Sequence, residues 1–310
     1  MPQEEIPSGK AWTVTRITHV LCPVDFSDIS QHALDHAAAI ARWYEARLTV
    51  LYVFVTRPTM DLPPFTLEAG DRDRLMSDLR RFAAGVPPGV KVDVLLEEGA
   101  YVHEEILSQL ASTRADLLVV GTHGRSGFQR LFLGSVTEKV IRRAAGPTLV
   151  VPPRAPAAAP GEPVQFRRIV CPVDFSESSL DALTYAIMLA EEADARLTLL
   201  HVVEMPRALT EEPMLLARDV ARIRETEAAE ARRRLHALVP EQARTYCTVE
   251  TAVVEGRAHD EIIRQATEGH ADLIVMGVHG RGVVDRLLFG STAHHVIRAA
   301  ACPVLVVRSA

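Results

Sequence analysis

The chain has 310 residues, of which 48% are hydrophobic and 24% charged, so it is long enough to form two domains of ordinary size. Its 34 lysines and arginines, against 40 aspartates and glutamates, give a formal net charge of -6 that is spread along the chain. This balance argues against a nucleic acid or an anionic membrane as the main partner. Residues 1–10 contain no apolar signal segment and no apolar run approaches a membrane span, which predicts a cytoplasmic protein.

Short β-branched runs alternate with helical stripes in the first half of the chain. The runs predict strands at 17–24, 48–55, 90–96, 117–120 and 148–151, each buried on both faces. Helices are predicted between them: one from a cap at Ser27 or Asp28 to Ala41, one that contains Leu75, Leu79 and Phe82, and two more at 103–113 and 135–145. This alternation implies right-handed crossovers and a parallel sheet with helices on both faces.

The second half repeats the first. The segment Leu-Cys-Pro-Val-Asp-Phe-Ser at 21–27 returns as Val-Cys-Pro-Val-Asp-Phe-Ser at 170–176, and Gly-Thr-His-Gly at 121–124 returns as Gly-Val-His-Gly at 277–280. A proline-rich and alanine-rich segment separates the copies. We therefore predict an α/β protein of two tandem doubly wound domains, 14–153 and 166–310, each with a five-stranded parallel sheet, joined by a linker at 154–165.

The four cysteines show no metal-ligand or redox spacing. Cys22 and Cys171 lie in apolar runs that predict strands, and Cys247 and Cys302 make no Cys-x-x-Cys pair. Buried thiols in a reducing compartment explain all four.

A glycine-rich motif follows the fourth predicted strand of each copy. It reads Gly-x2-Gly-x9-Gly-Ser, and it begins at Gly121 in the first copy and at Gly277 in the second. In an open parallel sheet, ligands bind beyond the carboxyl ends of the strands, where Asp25 and Asp174 also fall. Glycines let backbone amides approach an anion, and a helix that begins at Ser135 or Ser291 directs its free amides toward it. The motif therefore predicts a phosphate site in each copy.

Structural explanations of the motif remain open. Ser135 and Glu138 have the spacing of a capping box, which needs no ligand, whereas the second copy has His294 at the position of the glutamate. The glycines could simply shape turns. The motif is neither a Walker loop, because Gly-x4-Gly-Lys-Ser/Thr is absent, nor a dinucleotide fingerprint, because Asp285 stands where a third glycine belongs.

The Pro-Val-Asp-Phe-Ser segment and the glycine motif together resemble the universal stress protein family in its tandem, ATP-binding form. The resemblance covers nearly the whole chain outside the N-terminal arm and the linker. It implies that ATP, with or without Mg2+, is the ligand of both copies. It also implies that the last strands, 148–151 and 304–307, pair the copies as a pseudo-dimer, which could assemble into further homo-oligomers.

The resemblance also implies a set of binding residues in each copy. In the first copy they are Pro23, Asp25 and Val53 for the adenine, and Gly121, His123, Gly124, Arg125, Ser126, Gly127, Gly134, Ser135, Val136 and Thr137 for ribose and phosphates. In the second copy they are Pro172, Asp174 and Val202, and Gly277, His279, Gly280, Arg281, Gly282, Val283, Gly290, Ser291 and Thr292. Ala293 stands where the first copy has Thr137, so the second site lacks one hydroxyl.

Other polar residues favour simpler interpretations. His32 and His36 have metal-ligand spacing on one helix face, but the second copy lacks them, which favours surface histidines. His123 and His279 suit a loop-ordering hydrogen bond better than proton transfer. The charged segment 222–234, with Glu230 and Arg234 four residues apart, suits a solvated helix face.

Three functions are compatible with these features. The first is an ATP-binding stress protein in which the nucleotide changes loop order or assembly. The second is a slow Mg2+-dependent ATPase, although no general base is evident. The third is a nucleotide-free interaction scaffold in which the glycines only shape turns.

Overall fold

The computed structural model describes residues 16–56, 67–123, 133–153, 155, 164–204, 217–241, 243–279 and 289–308. The first half contains, in chain order, β1 (His19–Pro23), α1 (Asp28–Trp43), β2 (Arg47–Val55), α2 (Ala69–Ala83), β3 (Lys91–Gly99), α3 (Val102–Thr113), β4 (Leu117–Gly121), α4 (Ser135–Arg143) and β5 (Thr148–Val151). The second half contains β6 (Arg168–Pro172), α5 (Glu177–Ala193), β7 (Arg196–Val203), α6 (Ala217–Leu238), α7 (Ala243–Tyr246), β8 (Thr248–Glu255), α8 (Ala258–Glu268), β9 (Leu273–Gly277), α9 (Ser291–Ala299) and β10 (Val304–Val307). The α/β alternation predicted from the sequence is confirmed.

The strands of both halves form one continuous sheet in the order β3-β2-β1-β4-β5-β10-β9-β6-β7-β8. Neighbours are parallel within each half, and β5 and β10 pair antiparallel, with Leu149 opposite Leu305. Each half therefore has the predicted five parallel strands, and the last strands join the halves as predicted. Because the central pair is antiparallel, the carboxyl ends of the two sets of strands lie at opposite edges of the sheet.

The central strands are buried on both faces, whereas the outermost strands are partly exposed. Every residue of β5 and β10 is buried, and both consist of β-branched and leucine side chains. The outermost strands β3 and β8 instead include exposed polar residues. Charged side chains on such edges discourage pairing with another chain.

The hydrophobic core is divided by face of the sheet and not by domain. One cluster lies under α1 and α5 and includes Leu34, Leu183 and the two leucines of the β5–β10 pair. The other lies under α3, α4, α8 and α9, and it also draws on both halves. Both halves therefore contribute to each core.

Side chains beyond the sheet also join the halves. Phe166, which precedes β6, is buried edge-on against Trp43 of α1 at 5.4 Å between ring centroids. The hydroxyl of Tyr44 donates to the carbonyl oxygen of Met188 at 3.2 Å. On the opposite face, the Arg308 guanidinium donates to the carbonyl oxygen of Arg142, at the end of α4, at 2.9 Å.

The surface assignment of His36 was wrong because tertiary neighbours cover it, whereas the charged segment of α6 is largely exposed, as predicted. His36 is buried and not on the surface, and its ring lies 6.1 Å from that of Phe166. In α6, Glu230 pairs with Arg233, while Arg234 lies 3.9 Å above the ring of Phe175.

The prediction that the cysteines are buried thiols fits the structure. All four cysteines are free and buried. Within the described ranges, no helix has both the length and the apolar character that a membrane crossing needs.

The shared cores predict that the two halves unfold together. Leu305→Ala should lower the free energy of unfolding by about 2–5 kcal/mol, because it leaves a cavity in a buried cluster. The measurement is urea denaturation followed by circular dichroism. Val55→Ala, at a side chain that is 45% exposed, is the control and should change stability by less than about 0.5 kcal/mol. Two separate transitions, of which only one shifts, would contradict the shared cores.

The buried His36 predicts a loss of stability in acid. Burial lowers the pKa of His36, so below the ordinary histidine value of about 6.5 the unfolded chain binds more protons than the folded chain. The free energy of unfolding should therefore fall as the pH is lowered from 7 to 5, and His36→Gln should reduce this fall.

The matched control is the exposed His236, whose replacement by Gln should leave the fall unchanged. Urea denaturation at the two pH values measures the difference. The same pH dependence in His36→Gln and in the wild-type protein would be evidence against this role.

Candidate functional site

The strand order reverses between β1 and β4, and again between β6 and β9. In the first half, β2 and β3 lie on one side of β1, while β4 and β5 lie on the other. Crossovers that leave in opposite directions open a crevice at the carboxyl ends of the two central strands. The strand ends place Asp25 and Gly121 at one crevice and Asp174 and Gly277 at the other. The structure thus brings the sequence-predicted residues at these two strand ends together.

A hydrogen-bonded turn fixes the aspartate that follows the first strand. Oδ1 of Asp25 accepts from the backbone N–H of Ser27 at 3.1 Å and from its hydroxyl at 2.5 Å. Asp174 and Ser176 form the same two bonds at 3.0 and 2.5 Å. Each serine also caps the helix that follows, as predicted for Ser27. Strand end, aspartate and helix start are therefore one rigid unit in both halves.

The residue in the middle of this turn was missed by the sequence interpretation. Phe26 and Phe175 both have a φ of 64°, a left-handed conformation that is rare for a bulky side chain and costs about 1–3 kcal/mol. Ring packing offsets the strain: Phe26 stacks on Tyr52 at 4.7 Å between centroids, and Phe175 lies 4.8 Å from His201. The recurrence of phenylalanine directly after both aspartates was the available signal.

The residues predicted to hold an adenine lie where the first strand of each half ends, with Pro23 opposite Leu51 and Pro172 opposite Leu200. Val53 is buried and Pro23 half-buried in the first half, while Pro172 is buried and Val202 half-buried in the second. In the second half, Nδ1 of His201 donates to the carbonyl oxygen of Val173 at 2.7 Å.

The glycines at the strand ends have a packing role. A Cβ at Gly121 would lie 2.7 Å from Cγ2 of Ile29, and one at Gly277 would lie 2.5 Å from Oγ of Ser178. The helix after the first strand of each half therefore passes close to the end of the fourth strand. These two glycines are required by the fold whether or not a ligand binds.

The glycines before α4 and α9 are also constrained by the backbone. A Cβ at Gly134 would lie 3.0 Å from the carbonyl oxygen of Thr122, and one at Gly290 would lie 2.6 Å from that of Val278. The same oxygens accept the N–H groups of the two glycines, at 2.8 and 3.0 Å. This bond ties the helix start to the strand end.

The capping-box alternative is wrong, because Ser135 is the first helical residue and not the cap. Gly134 and Gly290 are the N-cap residues, and glycine has no side chain with which to cap a helix. Glu138 instead pairs with Arg142 at 3.0 Å. Ser135, Val136 and Ser291 are exposed, and Thr292 is half-buried. The first turns of α4 and α9 therefore keep their amide groups for a partner other than a cap.

The difference between Thr137 and Ala293 is accommodated inside the protein. The Thr137 hydroxyl donates to the carbonyl oxygen of Gly121 at 2.8 Å. In the second half, the buried Ala293 cannot make this bond, and the hydroxyl of Ser178 donates to the carbonyl oxygen of His279. The strand end is thus anchored from α4 in one half and from α5 in the other.

His123 has the loop-ordering contact that its position suggested. Its Nδ1 lies 3.0 Å from the hydroxyl oxygen of Thr122, and its Nε2 is buried without a hydrogen-bond partner among the described residues. Burial lowers the pKa of His123. The ring is therefore neutral at pH 7.

Part of the predicted site lies outside the described residues. This part comprises Gly124, Arg125, Ser126, Gly127, Gly280, Arg281, Gly282 and Val283. Their assignment to ribose and phosphates remains a prediction, as do the ligand roles of the described site residues. Within the described part of the chain, no group of three or more histidine, cysteine, aspartate or glutamate side chains has the arrangement of a metal site.

This fold and this repeated arrangement define a tandem α/β protein with one crevice in each half. The model of the universal stress protein family matches residues 16–152 and 165–308, so the chain belongs to the universal stress protein family and carries two copies of its domain. Universal stress protein MJ0531 of Methanocaldococcus jannaschii is 35% identical over 142 residues, which cover 43% of this chain and 80% of that protein.

Solved structures of tandem length have the same fold. A functionally unknown protein from Pseudomonas aeruginosa superposes with a TM-score of 0.65 at 18% identity, covering 94% of this chain and 92% of its own. A universal stress protein from Archaeoglobus fulgidus superposes with a TM-score of 0.59 at 22% identity, covering 94% and 98%. At these identities the likeness concerns the fold alone.

The packing of Gly277 predicts that its replacement destabilises the fold. Gly277→Ala should lower the free energy of unfolding by about 1–3 kcal/mol, since the added Cβ also meets the backbone carbon of Ser178 at 2.7 Å. Gly70→Ala, in α2, meets nothing within 4 Å and should leave stability unchanged or raise it by up to about 1 kcal/mol. Thermal denaturation of both variants measures the difference. Equal stability of the two variants would contradict the packing role.

Proposed function

We propose that each half of the chain binds one adenine nucleotide, ATP, at its crevice, and that occupancy regulates loop order or assembly in a stress response. The observation that carries the proposal is the duplication of one geometry. Both halves place a hydrogen-bonded aspartate and a helix start without a side-chain cap at the point where the strand order reverses. A cytoplasmic location and further homo-oligomers remain predictions.

The aspartate and the apolar surface suit an adenine base. A carboxylate held by two hydrogen bonds has a fixed direction, so it can accept from an amino group with little loss of side-chain entropy. Pro23 and Val53, or Pro172 and Val202, offer apolar surface beside it. Such a mixture of apolar lining and a few fixed polar groups is typical of nucleotide and other small-molecule sites.

The helix start suits phosphates. Free amides and the positive end of the helix dipole stabilise an anion, and the exposed hydroxyls of Ser135 and Ser291 stand at the first helical position. Arg125 and Arg281, which lie outside the described residues, would place positive charge near the same anion. Any Mg2+ would be held mainly by the phosphates of the nucleotide.

Regulatory binding fits the described residues better than turnover does. The Oδ1 atoms of Asp25 and Asp174 are engaged by serine side chains, so their geometry suits recognition more than proton transfer. A slow ATPase remains the second candidate, because His123 and His279 stand beside the glycine loops. A nucleotide-free scaffold is the third, favoured by the packing roles of Gly121 and Gly277.

Isothermal titration calorimetry with ATP tests the proposal. The wild-type chain should bind two nucleotides, and Asp25→Asn and Asp174→Asn should each weaken one site by roughly tenfold or more, because a charged acceptor is lost. Asparagine keeps an oxygen for Ser27 or Ser176, so the turn is preserved. Asp78→Asn, at an exposed ion pair of α2, is the matched control.

Native mass spectrometry of the freshly purified chain provides an independent check. No bound adenine nucleotide, together with no calorimetric binding of added ATP, would refute the proposal and favour the scaffold. Release of phosphate from ATP and Mg2+, lost when Gly124 and Gly280 are replaced by bulky residues, would favour the ATPase.

A further inference from the structure

Two histidines of the second half stack on each other where α8 packs against α9. The rings of His259 and His295 lie 4.6 Å apart between centroids, with an interplanar angle of 28°. Both side chains reach solvent, since His295 is exposed and His259 is half-buried. The stack therefore places two titratable side chains together at the contact between these helices.

This histidine pair lies beside the proposed phosphate site. His259 is the second residue of α8 and His295 the fifth residue of α9, and both helices follow strands that end at the same edge of the sheet. Nδ1 of His295 donates to the carbonyl oxygen of Ser291 at 2.7 Å, so the ring lies against the first turn of α9. That turn carries the amides proposed to bind phosphate.

The equivalent position in the first half carries a permanent charge. Lys139 stands in α4 where His295 stands in α9, and His103 stands where His259 does. Lys139 is exposed, whereas His103 is buried and its ring lies 5.9 Å from that of Tyr101. The residue next to the helix start is therefore a lysine in the first half and a titratable histidine in the second.

Charged and titratable neighbours surround the histidine pair unevenly. Oδ1 of Asp260 lies 3.5 Å from Nε2 of His259, an attraction that operates only when the imidazole is protonated. Glu261, also in the first turn of α8, is paired with Arg264.

The ring of His294 lies 6.1 Å from that of His295 and has charged neighbours of its own. Burial lowers the pKa of His294, and Arg298 and Arg142 lower it further against the opposing carboxylate of Glu138. His294 is therefore protonated less readily than an ordinary histidine.

We propose that the stacked His259 and His295 make nucleotide binding in the second half proton-linked, whereas Lys139 leaves the first half without this linkage. This inference rests on the proposed function of the crevices. The positive end of α9 opposes a proton on the histidine pair, and a bound phosphate removes that opposition. Phosphate binding and proton uptake therefore favour each other.

The test compares the two sites of the full chain by calorimetry with ATP at pH 6, 7 and 8. Asp25→Asn weakens the first site, so that the second dominates the titration, and Asp174→Asn does the reverse. The phosphate groups of ATP titrate in this range, but they contribute equally to both sites, so only the difference counts. The second site should gain up to roughly tenfold more affinity per pH unit on acidification than the first. Buffers of different ionisation enthalpy should show proton uptake at the second site.

Exchange of the distinguishing residue provides the matched control. In the Asp25→Asn background, His295→Lys should keep ATP binding and remove the additional pH dependence. In the Asp174→Asn background, Lys139→His places a histidine at the equivalent position of the first half, beside the buried His103. This change should make binding at the first site more dependent on pH.

The outcomes separate the two proposals. Binding at both sites with equal pH dependence, or a second site unchanged by His295→Lys, would overturn the proton linkage and leave the proposed function intact. No binding by the wild-type chain at any of these pH values would overturn the proposed function and, with it, this inference.

Discussion

The antiparallel pairing of β5 with β10 is the contact on which the rest of the structure depends. It turns two five-stranded sheets into one, and it buries the last strand of each half on both faces. Because neither half supplies a complete partner for its own last strand, each hydrophobic cluster runs through both halves. The same pairing sends the two sets of carboxyl ends to opposite edges, so the two crevices open away from each other.

The sequence predicted the order of elements and the sheet well, because both follow from local patterns. Continuous β-branched runs identified the buried strands, and the repeat of Pro-Val-Asp-Phe-Ser identified the equivalent strand end in the second half. His36 was misjudged because Phe166, which covers it, belongs to the segment that enters the other half. The contact of Arg234 with Phe175 was missed for a similar reason, since the two residues are distant in sequence. Tertiary burial of a polar residue on a helix leaves no local pattern.

The candidate site was predictable to a smaller extent, because one residue type serves two purposes there. Glycine at 121 and 277 is needed where a helix passes the strand end, and glycine at 134 and 290 where a helix start meets a carbonyl oxygen. A repeated glycine motif is therefore not by itself evidence of a phosphate-binding site. The first strand ends carry the stronger signal, because a left-handed phenylalanine beside a hydrogen-bonded aspartate is a strained arrangement that packing alone does not require.

Covalent linkage of the two halves allows them to differ where a symmetric dimer cannot. In a dimer of identical domains, each residue beside the twofold axis faces its own copy, so two Glu138 carboxylates would repel each other. Here His294 occupies the equivalent position in the second half, so this repulsion between two carboxylates does not arise. Arg308 adds an asymmetric contact, because it binds the end of α4, whereas Pro152 at the equivalent position has no side-chain donor. The elements that build the crevices are thus duplicated, while residues at the junction differ between the two halves.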